Sequence, residues 1–249
     1  MITSALLSRE PRLLHAFTDR RGGVSKAPFG SLDLGYHVGD DPAAVGENHA
    51  RLARQLGYDP RRLVHMRQIH SDRVVKCTPD MGFDTRPECD ALITDIPNQP
   101  LMVMVADCTP VLLYDPVQRA VAAVHAGRAG ALKNIVAKTI EAMHSAYDTE
   151  AGDLLAVLGP SIHACCYEIG PEVAETVEAS GCGYSLSSRG GRTWLDVNRI
   201  LETQLKAAGV LPSHIDTIGP CTSCRNDRLF SYRADRGTTG RQAGIIMLK

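Results

Sequence analysis

The sequence lacks an excess of charge of either sign. Its 27 lysines and arginines are balanced by 28 aspartates and glutamates, for a formal net charge of −1. Proteins that bind nucleic acids or anionic membrane surfaces usually carry a basic excess or a basic patch. We therefore expect small-molecule ligands, with no nucleic-acid partner and no membrane partner.

The sequence also lacks a long hydrophobic run. No stretch approaches the roughly 18 uninterrupted apolar residues that a membrane-spanning helix needs. The N-terminal apolar stretches are short and interrupted by Arg9, Glu10 and Arg12, unlike a secretory signal peptide. Without such a signal, the eight cysteines are better interpreted as thiols, some of them metal ligands, than as disulfides. These features predict a cytoplasmic protein.

No internal repeat, low-complexity tract or long linker interrupts the chain, so we expect residues 1–249 to form a single domain. The clearest predicted helix covers residues 42–56, with Asp41 as N-cap and Gly57 as C-cap. Further helices are predicted over 133–147, 171–179 and 196–208, and strands over 63–66, 73–76, 91–94, 101–106, 111–114, 121–124, 154–159 and 242–248. Their order is too irregular for a repeated βαβ pattern, which leaves the topology of this α and β mixture open.

Two of the apolar predicted strands end in a reactive residue. Residues 101–106 lead into Asp107 and Cys108, and residues 121–124 lead into His125. His70 lies in a polar segment further upstream. One thiolate and two imidazoles suit zinc and leave its fourth position open for water or substrate. The spacing matches no local zinc-finger pattern, so the residues alone favour a buried inert thiol and two hydrogen-bonded histidines over a metal site.

Two further features could carry chemistry. Arg20 precedes Gly22 and Gly23, and a guanidinium beside free backbone amides suits a phosphate; Arg233 and Arg241 are the alternative phosphate-binding residues. The second feature is the C-x-x-C formed by Cys221 and Cys224. It has no second C-x-x-C pair in the sequence, which favours a structural role over a metal site.

A series of ordered motifs gives the chain a resemblance to the YfiH-type family, also called the laccase-domain or peptidoglycan-editing-factor family. The motifs include Gln-x-His, Ala-Asp-Cys-Thr-Pro and His-Ala-Gly. In all they cover residues 17–25, 38–42, 68–70, 89–94, 106–110, 125–127, 159–162, 166–168, 230–233 and 239–242. So many blocks in order are far more specific than any single motif, and the resemblance extends over nearly the whole chain.

The resemblance implies an α+β fold with mixed β-sheets sandwiched between helical layers, in a four-layer αββα arrangement. It implies zinc on His70, Cys108 and His125. It also implies activity on purine nucleosides: phosphorolysis of adenosine, inosine and methylthioadenosine, and hydrolytic deamination of adenosine. In that reading Arg20 binds phosphate, and Asp107, the carboxylate nearest to Cys108 in sequence, could shuttle a proton.

The chain departs from the family pattern near these motifs. Arg128 and Ala129 stand where the family usually has Trp-Arg after His-Ala-Gly. Asp33 replaces an asparagine before Leu-Gly, and His49 replaces an arginine in the first helix. The three metal-ligand types are retained, whereas the wall of the pocket differs.

Four other functions stay open at this point. A copper-dependent phenol oxidase is disfavoured, because multicopper oxidases use many His-x-His pairs and this sequence has nine histidines and no such pair. A cysteine hydrolase would use Cys108 as nucleophile and His125 as base. The remaining two are a hydrolase that edits peptidoglycan precursors and a binding protein that has lost activity. The oligomeric state is not predicted.

Overall fold

The computed structural model describes residues 1–249, which form five α-helices and thirteen β-strands besides short 3₁₀ turns. The helices are α1 (Pro42–Leu56), α2 (Arg128–Leu132), α3 (Ile135–Tyr147), α4 (Pro171–Ala179) and α5 (Val197–Ala207). The strands are β1 (Leu13–Phe17), β2 (Val64–His65), β3 (Val74–Lys76), β4 (Ala91–Thr94), β5 (Leu101–Val105), β6 (Thr109–Asp115), β7 (Ala120–Ala126), β8 (Leu155–Leu158), β9 (Glu168–Ile169), β10 (Leu186–Arg189), β11 (Arg192–Leu195), β12 (Ile215–Thr217) and β13 (Gln242–Leu248). No helix is both long and apolar enough to cross a bilayer.

Two mixed sheets make up the centre of the fold. One has the strand order β1-β13-β5-β2, and the other has the order β12-β8-β6-β7-β4-β3; a small third sheet contains β10, β11 and β9. Side chains of β5 and β13 on one sheet pack against those of β6 and β7 on the other, which forms the core between the sheets. The expected α+β fold, with its sheets between helical layers, is confirmed.

The outer faces of the two sheets are covered by helices. Leu52 of α1 packs on Met102 and Ile245 of the four-stranded sheet. On the six-stranded sheet, helices α3 and α5 cover the face that carries Val111 and Val124. Strands in such a stack are buried on both faces, which explains why β5, β6 and β7 are apolar without alternation.

Most of the predicted elements are confirmed. Helix α1 has the predicted bounds, with the Asp41 carboxylate accepting a hydrogen bond from the Ala43 amide and Gly57 in the left-handed region at φ 75°. The predicted helix over 133–147 is wrong at its start. Asn134 adopts φ 62°, which ends the short helix α2 and lets α3 begin at Ile135. The sequence analysis missed β1 and β9–β12, which are short or have no alternating pattern.

Asp33 is buried in the loop before α1. Its Oδ1 accepts hydrogen bonds from the amides of Gly35 at 2.9 Å and Arg241 at 2.7 Å, whereas its Oδ2 has no partner. Burial raises the pKa of Asp33 from 3.8 to about 7, against the effect of the two amides, and the nearby carboxylate of Asp40 raises it further. The ionised form is therefore disfavoured in the folded protein.

This burial predicts the pH dependence of the Asp33→Asn variant. The folded-state pKa lies above the unfolded one, so the contribution of Asp33 to stability is present below pH 4 and is lost as the pH rises through about 7. Asparagine keeps the acceptor oxygen and does not ionise. We expect the variant to gain stability relative to the wild type between pH 4 and 7, by about 4 kcal/mol at most.

Urea unfolding midpoints at a series of pH values measure this difference. The control is Asp84→Asn, which changes an almost fully exposed carboxylate and should show no such trend. A constant difference between Asp33→Asn and the wild type from pH 4 to 8 would contradict the assignment.

Candidate functional site

The six-stranded sheet brings the reactive residues to one edge. Strand β4 is antiparallel to β7 with Ala91 opposite Val124, so Asp90, just before β4, lies beside His125 near the end of β7. Strand β6 pairs with the other side of β7, with Thr109 opposite Ala126, which places Cys108 at the same edge. The strand register therefore determines which residues meet.

Asp90 is fully buried and organises this edge. Its Oδ1 lies 2.8 Å from Nδ1 of His125 and accepts a hydrogen bond from the His70 amide at 3.0 Å. Its Oδ2 accepts hydrogen bonds from the amide and the hydroxyl of Ser71, at 2.6 and 2.7 Å. Burial alone would raise the pKa of Asp90, but these hydrogen bonds lower it to about 2. The carboxylate is therefore ionised, and the loop that carries His70 wraps around it through these hydrogen bonds.

His70, Cys108 and His125 are brought together. One ligand atom from each, a ring nitrogen or the thiol sulfur, lies within 4.8 Å of the others. Because Asp90 engages Nδ1 of His125, Nε2 is the nitrogen left to face the centre, an arrangement common for histidine ligands of metals. The two imidazole rings lie edge to face, 4.9 Å apart. The donor set and its convergence fit a single metal ion.

The electrostatics of the cluster favour a thiolate. Burial alone would raise the pKa of Cys108, but the imidazoles of His125 and His70 lower it. Burial would lower the pKa of His125, yet the sulfur of Cys108 and the carboxylate of Asp90 raise it. Each of the two groups therefore favours the charged form of the other. A metal ion would take the place of the imidazolium proton.

Gly127 leaves room for these ligands. A Cβ at this position would lie 2.8 Å from Sγ of Cys108 and 3.3 Å from Cδ2 of His70. A side chain there would displace the sulfur. Glycine is thus required at this position of the His-Ala-Gly motif because the Cys108 sulfur lies so close to the backbone. Its φ of −76° is ordinary and would not itself require glycine.

The cluster lies in a pocket of about 480 Å³, a volume typical of small-ligand sites. Its polar wall includes three arginines, and two tyrosines add aromatic surface. Those residues are Arg128, Arg233, Arg241, Tyr167 and Tyr232. Tyr232 is 55% exposed, which is unusual for a large ring. A pocket with this lining can take a ligand that combines negative charge with a flat ring.

Arg233 and Arg241, the alternative phosphate-binding residues, both line the pocket. Arg233 donates to the carbonyl of Glu168 at 3.0 Å, and its guanidinium lies 5.2 Å from the centre of the Tyr167 ring. Arg241 donates to the carbonyls of Thr239 and Gly240. These contacts fix the two side chains at the pocket wall.

Asp107 also reaches the pocket, at φ 85° between β5 and β6. Both of its oxygens are engaged: Oδ1 accepts from the Thr222 hydroxyl at 2.6 Å, and Oδ2 accepts from the Arg233 amide at 2.7 Å. Its backbone carbonyl accepts from the amide of Ile162 at 2.9 Å. Asp107 therefore ties three loops of the pocket wall together.

Arg20 is not brought into the pocket. Its Nε donates to the carbonyl of Gly30 at 2.9 Å and its guanidinium donates to the carbonyl of Asn226 at 2.6 Å. The guanidinium also lies 4.7 Å from the centre of the Phe230 ring. These contacts hold loops together, and Arg20, expected above to bind phosphate, does not line the pocket that contains the cluster.

Several residues of the site had no assigned role in the sequence analysis. Asp90 belongs to one of the motifs, but nothing in the sequence connects it to His125. Gln68 pairs through both amide atoms with the backbone of Met104, at 2.8 and 2.9 Å, which fixes the start of the His70 loop. In the sequence, Gln68 could be recognised as part of the Gln-x-His motif, two residues before His70.

Comparison with known proteins agrees with this architecture. The family model described as "Multi-copper polyphenol oxidoreductase laccase" matches residues 14–249, and the chain belongs to that family. The purine nucleoside phosphorylase ORF3 of Streptomyces griseus is 44% identical over 94% of this chain and 93% of its own. A purine nucleoside phosphorylase of Corynebacterium glutamicum is 42% identical, covering 93% of each chain.

Solved structures are similar as well. YlmD from Geobacillus stearothermophilus superposes with a TM-score of 0.92 at 30% identity, covering 99% of this chain and 94% of that one. YfiH from Bacillus licheniformis gives a TM-score of 0.91 at 33% identity, covering 95% and 93%. The YfiH-type resemblance read from the motifs is therefore confirmed.

The role of Asp90 leads to a prediction for Asp90→Asn. Asparagine cannot accept all five hydrogen bonds that the Asp90 carboxylate makes, so the His125 ring and the His70 loop lose their common anchor. We expect metal affinity to fall about 10- to 100-fold, the usual effect of removing a residue that orients a ligand. Chelator competition with Zn²⁺ or Co²⁺ as the probe measures it.

The matched control for this variant is Asp72→Asn. Asp72 belongs to the same loop but forms a partly exposed ion pair with Lys138, so its replacement should leave the affinity unchanged. Equal affinities of Asp90→Asn and the wild type would show that Asp90 does not orient the ligands.

Proposed function

We propose that the protein is a zinc-dependent purine nucleoside enzyme. It phosphorolyses adenosine, inosine and methylthioadenosine to the free base and the (methylthio)ribose 1-phosphate, and it also deaminates adenosine hydrolytically. The observation that carries the proposal is a thiolate and two imidazoles converging in a pocket that also holds three arginines and two tyrosines. Relatives named purine nucleoside phosphorylase, at 42–44% identity, support the same substrate class.

The donor set supports zinc at His70, Cys108 and His125. Two imidazoles and one thiolate are typical zinc ligands, and three protein ligands leave one position for a substrate atom or water. When bound, the ion would polarise a substrate atom or lower the pKa of a water. Copper also binds two histidines and a cysteine when a weak thioether completes the site, and Met104 lines this pocket. Metal analysis of the purified protein distinguishes zinc from copper. A copper(II) site of this kind would also be intensely coloured.

The arginines form the phosphate end of the proposed site. A guanidinium makes charge-assisted, often bidentate hydrogen bonds to phosphate oxygens. Arg233 and Arg241 are fixed by backbone carbonyls, and Arg128 lines the same pocket. Asp107, expected above to shuttle a proton, acts instead as a positioning residue in this scheme, because its two oxygens accept hydrogen bonds from the Thr222 hydroxyl and the Arg233 amide.

The tyrosines form the nucleoside end. A purine ring can stack on an aromatic side chain, and the exposed ring of Tyr232 and the half-buried ring of Tyr167 both face the pocket. In phosphorolysis a phosphate oxygen bonds to the anomeric carbon of the ribose as the bond to the base nitrogen breaks. The hydrogen of hydrogen phosphate ends on the base, so the products are adenine and ribose 1-phosphate. In deamination water replaces the amino group and ammonia leaves.

Product analysis tests the proposed function. Purified holoprotein with adenosine and phosphate should give adenine and ribose 1-phosphate in equal amounts, and without phosphate it should slowly give inosine. Cys108→Ala removes one of three ligands, so metal content and both reactions should fall together. Absence of all three products at high enzyme concentration would contradict the proposal.

The same experiment distinguishes a cysteine hydrolase. Such an enzyme would keep its activity after a chelator has removed the metal and would lose it on alkylation of Cys108. Oxidation of a phenol by the copper-loaded protein, with no reaction of adenosine, would favour an oxidase instead.

Arg241→Gln should damage phosphorolysis selectively. Hydrogen bonds to charged groups contribute roughly 1.5–3 kcal/mol, which corresponds to about a 10- to 150-fold loss in apparent phosphate affinity or rate. Deamination uses water in place of phosphate and should change little. Initial rates at several phosphate concentrations measure both effects.

The control is Arg54→Gln, which removes one positive charge from an exposed side chain of α1. Arg20→Gln should instead lower the free energy of unfolding, because Arg20 joins two loops. Equal losses of both reactions in Arg241→Gln would show that Arg241 supports the fold or the nucleoside rather than phosphate.

A further inference from the structure

A second cluster of metal-ligand side chains lies outside the pocket. The sulfurs of Cys165, Cys166, Cys221 and Cys224 all lie within 4.8 Å of one another. The sulfur of Cys224 is 3.6 Å from that of Cys165 and 3.3 Å from that of Cys166. The sequence analysis found no partner for the C-x-x-C of Cys221 and Cys224, and the adjacent pair Cys165 and Cys166 now supplies one.

The fold brings the two pairs together from distant parts of the chain. Strands β8 and β12 are parallel neighbours, with Ala156 opposite Ile215, so their C-terminal ends lie at the same edge. The loop after β8 carries Cys165 and Cys166, and the loop after β12 carries Cys221 and Cys224. The amide of Thr222 donates to the carbonyl of Ser161 at 2.9 Å, which joins the two loops beside the cysteines.

We propose that these four cysteines bind a structural zinc ion, separate from the ion of the pocket. Zn–S bonds of about 2.3 Å in a tetrahedron place sulfurs about 3.8 Å apart, close to the separations seen here. Four thiolates fill all positions of a tetrahedral zinc, so the site would be closed to substrate. The sulfurs lie too close together to surround a multi-iron cluster.

The surroundings of the sulfurs suit a charged tetrathiolate. The amide of His163 donates to Sγ of Cys221 at 3.4 Å, a contact that partly neutralises a bound thiolate. Arg189 donates to the carbonyl of Ala164, which brings a positive charge to the same loop. Cys165 and Cys224 are solvent-exposed, an unusual place for two free thiols, and metal binding would give both of them a partner.

The site would stiffen one wall of the pocket. Thr222, between the two cysteines of the C-x-x-C, donates its hydroxyl to Asp107, and Asp107 in turn holds the Arg233 amide. The ion would close a loop of 59 residues between Cys165 and Cys224. This proposal does not depend on the proposed function, since its ligands and those of the pocket are different residues.

Metal stoichiometry of the holoprotein, purified without chelators under reducing conditions, tests the proposal. The wild type should hold one more equivalent of zinc than Cys165→Ser/Cys224→Ser, whatever the occupancy of the pocket. Cys108→Ala should keep the extra equivalent. The control Cys182→Ala changes a buried cysteine outside both clusters and should hold as much zinc as the wild type. Equal zinc in the double variant and the wild type, or iron in place of zinc, would overturn the proposal.

Alkylation of the wild type provides a test that does not depend on the folding of a variant. Cys165 and Cys224 should resist iodoacetamide in the native holoprotein and react after a chelator has removed the ion, as read by peptide mass spectrometry. Reaction of both cysteines before chelation would show free thiols. Protection that a reductant relieves and a chelator does not would show a disulfide. Either result rules the zinc site out.

Discussion

The buried carboxylate of Asp90 is the interaction on which the rest of the site depends. It orients the His125 ring and accepts hydrogen bonds from the amides and the hydroxyl of the His70 loop, so the positions of His70 and His125 both follow from one side chain. A buried carboxylate without partners would be costly, and here five hydrogen bonds offset that cost. The loop and the strand are consequently fixed before any ion or substrate binds.

The sheets extend this organisation to the rest of the pocket. The register of β4, β6 and β7 sets the positions of Asp90, Cys108 and His125, and parallel pairing of β8 and β12 brings further loops to the other side. Asp107 connects the two sides through Thr222 and the Arg233 amide. The buried strands are rigid, and they hold loops from distant parts of the sequence around one cavity. The polar side chains on these loops are therefore kept in fixed positions at the pocket.

Much of this architecture could be read from the sequence. Apolar runs and caps predicted α1, α4, β4 and β13 because their signals are local. The motifs singled out His70, Cys108 and His125 by resemblance, whereas spacing alone left them undecided. Asp90 and the four-cysteine cluster could not be foreseen, since they depend on strand pairing between distant segments. Arg20 was placed in the wrong surroundings because its loop folds back on Gly30 and Asn226, which no local pattern indicates.

Diffraction at the zinc absorption edge, from crystals of holoprotein purified without chelators, would locate a zinc ion bound by His70, Cys108 and His125. A zinc ion at this site should give an anomalous peak about 2.3 Å from Sγ of Cys108 and about 2.0–2.1 Å from one nitrogen of each of His70 and His125. The His125 nitrogen should be Nε2, since Asp90 engages Nδ1. An empty site between these residues, or a peak at the copper edge instead, would contradict a zinc centre built on Asp90.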